Sequence, residues 1–178
     1  MAIERHARAS DLGGREPRQA IVSVAMGSRS DLETLQPALD LLAQLELPYD
    51  AWVVSAHRTP QWLYEYALGL EDRGVEAVIA AAGGAAHLPG MLAALTLVPV
   101  LGVPVVSTPL QGMDALLSIV QMPRGVAVGA LTIGTGGAFN AAMLAAQIAA
   151  NSRPELRARL RALRAARAQS VLADRVLR

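Results

Sequence analysis

The sequence predicts a doubly wound α/β protein built on a parallel five-stranded sheet, and three observations predict it. Five short apolar runs, at 20–25, 51–54, 77–81, 103–106 and 127–133, are rich in Val, Ile or Ala and do not alternate. Strands covered on both faces have that pattern. Helical patterns lie between the runs, and strands that alternate with helices imply parallel pairing through right-handed crossovers. The 178 residues, without internal repeat or linker, suffice for one domain with one sizeable core.

The elements follow in order. Residues 1–18 are polar and rich in Arg, Asp and Glu, which predicts a flexible N-terminal extension. A single α/β domain is expected over 19–178, ending in an Arg-rich C-terminal helix. After the first strand, Ser30-Asp31-Leu32-Glu33 reads as a capping box, and Leu32, Leu35, Leu39 and Leu42 form one helical face. Pro37 removes one i→i−4 bond there, so a kink or a late start is expected. Thr59-Pro60 opens the second helix as N-cap and first-turn proline, and Gly74 closes it. Pro89-Gly90 precedes a short third helix, and 112–120 holds a fourth. A buried fifth is expected over 137–150, and Ser152-x-x-Glu155 caps the last, with Leu156, Leu160 and Leu163 as its apolar stripe.

Composition narrows the chemistry. Apolar residues make up 53% and charged residues 17%, against roughly 45–50% and about 25% for an average domain, which excludes a wholly disordered chain. Cys is absent, so disulfides, zinc–thiolate clusters and thiol nucleophiles are excluded. All 16 basic residues are Arg, so there is no Schiff-base or P-loop lysine. His stands only at 6, 57 and 87. No His, Asp and Glu set has zinc-like spacing, so no metal site is expected. The glycine runs do not fit the dinucleotide fingerprint, so no redox cofactor is expected.

Residues 77–113 and 125–152 carry no Asp, Glu, Lys or Arg. A transmembrane helix is the competing reading of the first stretch. Its four prolines (89, 99, 104 and 109) and its glycines cut it into short pieces, as a buried strand–loop–helix–strand would be. So much apolar surface exceeds the needs of one core and implies a homo-oligomer. The first residues lack an apolar leader segment, so no secretory signal is expected. Charge is uneven: residues 153–178 sum to +6 and residues 19–152 to −6. A basic tail raises nucleic-acid binding, but this one has no aromatic residue for base stacking. An amphipathic helix packed on the body or on a neighbour is the plainer reading.

In doubly wound sheets, ligands bind outside the carboxyl ends of the strands. Four loops are therefore candidates: 26–31, 55–60, 82–90 and 134–140. In the first, Gly27, Ser28, Ser30 and Asp31 at a helix start suit a phosphate and a ribose, or else Ser30 and Asp31 only cap the helix. In the second, the guanidinium fork of Arg58 suits a phosphate, or else forms a surface ion pair. His57 suits acid–base work at a strand's carboxyl end, or else is a satisfied structural histidine. In the third, Gly83, Gly84, Ala85 and Ala86 leave room for a ligand and His87 closes the loop, with tight packing around a core histidine as the alternative.

Taken together, Met26-Gly27-Ser28-x-Ser30-Asp31, Ser55-Ala56-His57-Arg58-Thr59-Pro60, Gly83-Gly84-Ala85-Ala86-His87-Leu88-Pro89-Gly90, the segment 99–105 and Ser118-Ile119-Val120-Gln121-Met122-Pro123 closely resemble the class I N5-carboxyaminoimidazole ribonucleotide mutase family. The resemblance spans about residues 20–165. It implies a flavodoxin-like, three-layer αβα subunit in a cytoplasmic homo-octamer. It implies conversion of N5-carboxyaminoimidazole ribonucleotide to 4-carboxyaminoimidazole ribonucleotide in purine (IMP) biosynthesis, with no cofactor, metal, ATP or biotin. By position, Ser28, Asp31 and Arg58 match the family's ribonucleotide-binding residues and His57 its proton-transferring residue. Ser30, Ser55, Gly83 and His87 sit in motifs lining that site. Thr135 stands in the fifth loop where the family usually carries Lys. The expected chemistry is decarboxylation, retention of CO2 in a small dry pocket walled by 83–86, and recarboxylation at C4. The rival readings are a class II carboxylase of the same fold that uses CO2 directly and a ribonucleotide-binding module without turnover.

Overall fold

The computed structural model describes residues 19–176; the extension expected over 1–18 lies outside the described residues. Five parallel strands form one sheet in the order β2-β1-β3-β4-β5. They are β1 (Val22–Met26), β2 (Tyr49–Val53), β3 (Ala77–Gly83), β4 (Val100–Val105) and β5 (Gly129–Ala130). Six α-helices join and follow them: α1 (Leu32–Gln44), α2 (Pro60–Asp72), α3 (Leu88–Ala93), α4 (Met113–Val120), α5 (Thr135–Ala149) and α6 (Pro154–Ala173). The result is the expected three-layer αβα architecture of flavodoxin-like type.

The pleat of β3 shows how the layers separate. Ala77, Ile79 and Ala81 pack with α1, α5 and the first turns of α6; Val78, Ala80 and Ala82 pack with α2, α3 and α4. Small residues let α5 approach closely: Ala138, Ala141, Ala142, Ala145, Ala146 and Ala149 are fully buried. Leu156 and Leu160 anchor α6 on that layer, with Leu163 partly buried against it, as the apolar stripe requires.

Several local expectations give way. α1 runs through Pro37 without a break. The lost backbone bond and ring clash cost about 3 kcal/mol, but Leu35, Leu41 and Leu42 are each buried, contributing about 2 kcal/mol apiece. The capping box is Ser28 with Asp31, not Ser30 with Glu33, because a 3-10 turn at Arg29–Asp31 precedes α1. α3 starts at Leu88, so Pro89 and Gly90 lie inside its first turn, and α5 starts at Thr135 rather than 137. Ser152 does not cap α6: its hydroxyl donates to the Ala149 carbonyl at the end of α5, and Arg153 is the N-cap of α6.

Two strands differ from the pattern. β2 is an edge strand, its residues alternately exposed and half-buried rather than covered on both faces. β5 has two residues where seven were expected. At the carboxyl end of β5 the reason lies in β4. Carbonyls of Gly102 and Pro104 accept from Leu131 and Gly134, so both residues face β5. Pro104 has no N–H to return, and the ladder stops there.

Close backbone approach at the start of α5 gives a stability prediction. A Cβ on Gly137 would lie 1.6 Å from the Thr132 carbonyl oxygen, whereas one on Gly69 of α2 meets nothing within 4 Å. Gly137→Ala is expected to lower stability by about 3 kcal/mol, and Gly69→Ala to raise it by about 0.8 kcal/mol, read from denaturant midpoints.

Candidate active site

Strand order brings three of the four candidate loops together. The loops after β1, β2 and β3 meet over the end of β1, at the point where the chain's path across the sheet reverses. They enclose a cavity of about 350 Å³ lined by Ser28, Ser30, Asp31, Ser55, His57, Arg58, Gly83, Ala85, His87 and Ser107, among others. The eight residues matched to the family's site, Ser28, Ser30, Asp31, Ser55, His57, Arg58, Gly83 and His87, all line it; Gly84 and Ala86 of the third loop do not. The fifth loop does not: Thr135 opens α5 beyond β5, at the far edge of the sheet.

At one end of the cavity the groups suit an anion. Ser28 is in extended conformation, its hydroxyl accepts from the Ser30 N–H, and its own N–H donates to Asp31 at 2.9 Å. The Ser30 hydroxyl donates to Ser28 Oγ at 3.0 Å and remains exposed. Arg58 reaches back across the sheet end, its Nε donating to Ser55 Oγ and its Nη2 to the Gly27 carbonyl, both at 3.0 Å. Those bonds fix the plane of an exposed guanidinium. Among the described residues Arg58 joins no ion pair, so the surface-pair reading fails. Asp31 is buried, and burial pushes its carboxyl above the ordinary value of 3.8, against the lowering effect of the Ser28 and Gly27 N–H groups and of Arg58.

At the other end stand the two histidines. His57 Nε2 and His87 Nδ1 are 2.7 Å apart, with the rings edge to face. Both side chains are exposed, so neither is a core histidine. The wall between these ends differs from expectation. Gly83 and Ala85 line the cavity, while Ala86 is buried in the α2–α3–α4 layer. The mouth is open in the single chain, since His57, Arg58, Ala85 and His87 are exposed. Among the described residues no group of three or more His, Asp or Glu converges as metal ligands do.

Residues 21–170 match the family described as AIR carboxylase. The chain belongs to that family. A relative from Aliivibrio fischeri named N5-carboxyaminoimidazole ribonucleotide mutase is 56% identical over 151 residues, covering 85% of this chain and 94% of the relative. A protein of the same name from Escherichia coli K12 is 56% identical over 153 residues, covering 86% and 90%. The crystal structure of Treponema denticola PurE superposes with a TM-score of 0.77 at 25% identity, over 86% of this chain and 94% of that one. The AIR carboxylase fold thus accounts for nearly all of the described chain.

One lining residue escaped the sequence reading. Ser107 follows β4, and a Cβ on Gly83 would fall 2.0 Å from its Oγ. Gly83 is therefore glycine because Ser107 occupies the space beside it. The signal was available, since Ser107 stands at the carboxyl end of the strand next to β3.

Asp31 gives a prediction with a definite sign. Its folded value lies above the unfolded one, so its contribution to stability is present in full below the unfolded value and is lost as pH rises through the folded one. Asn at this position keeps an acceptor for the Ser28 N–H and carries no charge. Asp31→Asn is expected to be at least as stable as the parent at neutral pH and to flatten the acid-to-neutral stability profile, measured by denaturation across that range.

Proposed function

We propose that this AIR carboxylase family member is an N5-carboxyaminoimidazole ribonucleotide mutase, producing 4-carboxyaminoimidazole ribonucleotide for IMP synthesis. The observation that carries the reading is one cavity with an anion-holding end and a hydrogen-bonded imidazole pair. Relatives at 54–58% identity bear the mutase name, which favours it over direct carboxylation.

The assigned roles follow from position. Ser28, Ser30 and the preset fork of Arg58 hold the phosphate, with Ser55 steadying Arg58. Asp31 accepts from ribose hydroxyls. Binding at this remote end supplies the energy that positions the heterocycle. His57 then acts as general acid and base. It donates a proton to the exocyclic nitrogen as the N–CO2 bond breaks and its electrons pass to that nitrogen. The electron-rich C4 attacks the retained CO2, and His57 removes the C4 proton to restore aromaticity. One proton leaves and one returns, so the enzyme ends as it began. Gly83, Ala85 and His87 border the space for CO2, whose recapture is effectively intramolecular.

The enzyme is further proposed to work as a cytoplasmic homo-octamer without cofactor, bound to neither nucleic acid nor membrane. Exposed apolar side chains support association: Leu97 is 90% and Leu110 64% exposed, and Met113, Leu117 and Val120 share the exposed side of α4. Among the described residues no helix is long and apolar enough to cross a membrane. Light scattering on the purified chain is expected to give the mass of eight copies; a monomer would remove this part of the reading.

The test compares two substrates. The carbamate ribonucleotide should turn over far faster than aminoimidazole ribonucleotide with bicarbonate. The opposite preference would make the protein a direct carboxylase, as the family's description allows, and no conversion of either would leave a binding module. General acid–base groups contribute about 10²–10⁴-fold, so His57→Asn is expected to lose at least about 10³-fold in kcat while retaining ribonucleotide binding. Hydrogen bonds to charged groups are each worth about 1.5–3 kcal/mol, so Arg58→Ala should weaken ribonucleotide binding by about ten- to a hundredfold in calorimetry. An unchanged Kd would contradict the phosphate assignment.

A further inference from the structure

Resting on that reading of His57, we propose that His87 is a positioning residue, engaging His57 Nε2 in the Nε2···Nδ1 hydrogen bond and coupling the tautomers of the two rings, so that His57 Nδ1 is the nitrogen that exchanges a proton with substrate.

A neutral imidazole carries one N–H and one lone pair. The 2.7 Å separation of the two ring nitrogens is a hydrogen bond only when a single proton lies between them. Two neutral arrangements satisfy it. If His57 Nε2 donates, the lone pair of His57 is on Nδ1 and the outer N–H of the pair is on His87 Nε2. If His87 Nδ1 donates, His57 carries its N–H on Nδ1 and the lone pair moves to His87 Nε2. The tautomers of the two rings are thus locked together. Either way His57 Nε2 is occupied, and Nδ1 is left for the substrate.

The backbone on both sides is held firmly enough to aim the pair. His87 follows buried Ala86 and precedes buried Leu88, and its N–H donates to the Ala85 carbonyl at 2.8 Å. Its carbonyl accepts from Met91 at 2.9 Å in the first turn of α3. His57 follows buried Ala56. The rings meet at 90° with centroids 4.8 Å apart, so the ring edge of one addresses the other.

Proton balance selects the arrangement in which His57 Nε2 donates, because only there is His57 Nδ1 free to take a proton. When the C4–H bond breaks, its electron pair returns to the heterocycle and its proton goes to His57 Nδ1. The resulting imidazolium keeps its Nε2–H on His87 Nδ1, a charge-assisted hydrogen bond that strengthens as the charge forms. In the decarboxylation half the same Nδ1–H is given to the exocyclic nitrogen, and the pair returns to the neutral arrangement in which His57 Nε2 donates. A ring without this partner samples both tautomers and presents the base at the wrong nitrogen for part of the time. Where a partner that fixes a histidine tautomer has been removed in a triad, the loss reaches about 10⁴-fold.

The experiment uses the full chain with His57 followed by 15N NMR, and steady-state kinetics with the carbamate ribonucleotide. In the parent, at a pH where the pair is neutral, the two His57 nitrogens should show the well-separated shifts of one tautomer. His87→Leu should collapse them toward the average of two tautomers and lower kcat about 10²–10³-fold, with KM within about threefold. His87→Asn, whose amide reaches the place of Nδ1, should restore the separation and at least tenfold of kcat. If His87→Leu does not fold, His87→Phe keeps the ring's shape and serves the same comparison. A raised KM with kcat unchanged would make His87 a substrate contact and overturn the proposal, as would His57 shifts indifferent to every substitution. Failure of the underlying acid–base reading looks different: His57→Asn would retain turnover while the NMR result stood.

Discussion

The contact between His57 and His87 exists because β2 and β3 flank β1. Neighbouring strands lie about 4.8 Å apart, so the two outer strands of this trio are separated by about 9.6 Å, and the loops that follow them must arch over the end of β1 to touch. Ser28, Asp31 and the start of α1 emerge from beneath that arch. Arg58 makes a second crossing, from the β2 loop to the Gly27 carbonyl. The strand order thus joins a place for an anion to a place for a proton, and any other neighbour for β1 would part them.

The opposite end of the same strands is built for stability. Ser23 is fully buried in β1; its hydroxyl donates to Asp50 of β2 and lies 2.6 Å from the Tyr66 hydroxyl of α2. Arg73 pairs with Asp50 at 3.2 Å and lies over the Trp52 and Tyr66 rings. Burial pushes the Tyr66 hydroxyl well above its usual range, so it stays protonated and able to share a hydrogen. Nearby, Arg153 grips Glu76 with two bonds, at 2.7 and 2.8 Å, and draws α6 onto the sheet. At the amino ends Ser23, Asp50, Tyr66 and Glu76 are paired within the fold, although Arg73 Nη2 and Trp52 Nε1 are buried without a partner; at the carboxyl ends Arg58 and the serines keep donors turned toward a cavity. Asp31 marks the contrast, since burial disfavours the very charge that makes it a strong acceptor.

Much of this was legible in the sequence because a strand followed by a Gly, Ser or His-rich loop keeps its meaning wherever the strand lies. All eight candidate residues therefore fall on one cavity. What was not legible depended on lateral order or on neighbours distant in sequence. The loop at 134–140 has the composition of a site but follows β5, which β3 and β4 separate from β1. Ser28-x-x-Asp31 and Ser30-x-x-Glu33 have the same spacing, and only the extended backbone at Ser28 decides between them. Where β5 stops is set by the missing N–H of Pro104 on another strand.

The two uncharged stretches connect the fold to the chemistry. Residues 77–113 contain β3, α3 and β4, and much of their apolar surface is consumed in the core on both sides of the sheet. Yet Leu97, Leu110 and Met113 remain outside it, on the segments that follow α3 and β4. A second cavity of about 260 Å³, lined by His87, Met91, Ser118 and Met122 among others, adjoins the first through the His87 ring. A released CO2 molecule held beside His57 in a lone chain would face bulk water through the open mouth, and its escape would compete with attack by C4. In the proposed homo-oligomer, copies of the same chain packed on these faces would remove both problems, the exposed apolar area and the open route. On that proposal, the apolar surface left outside the core serves the reaction as much as the fold.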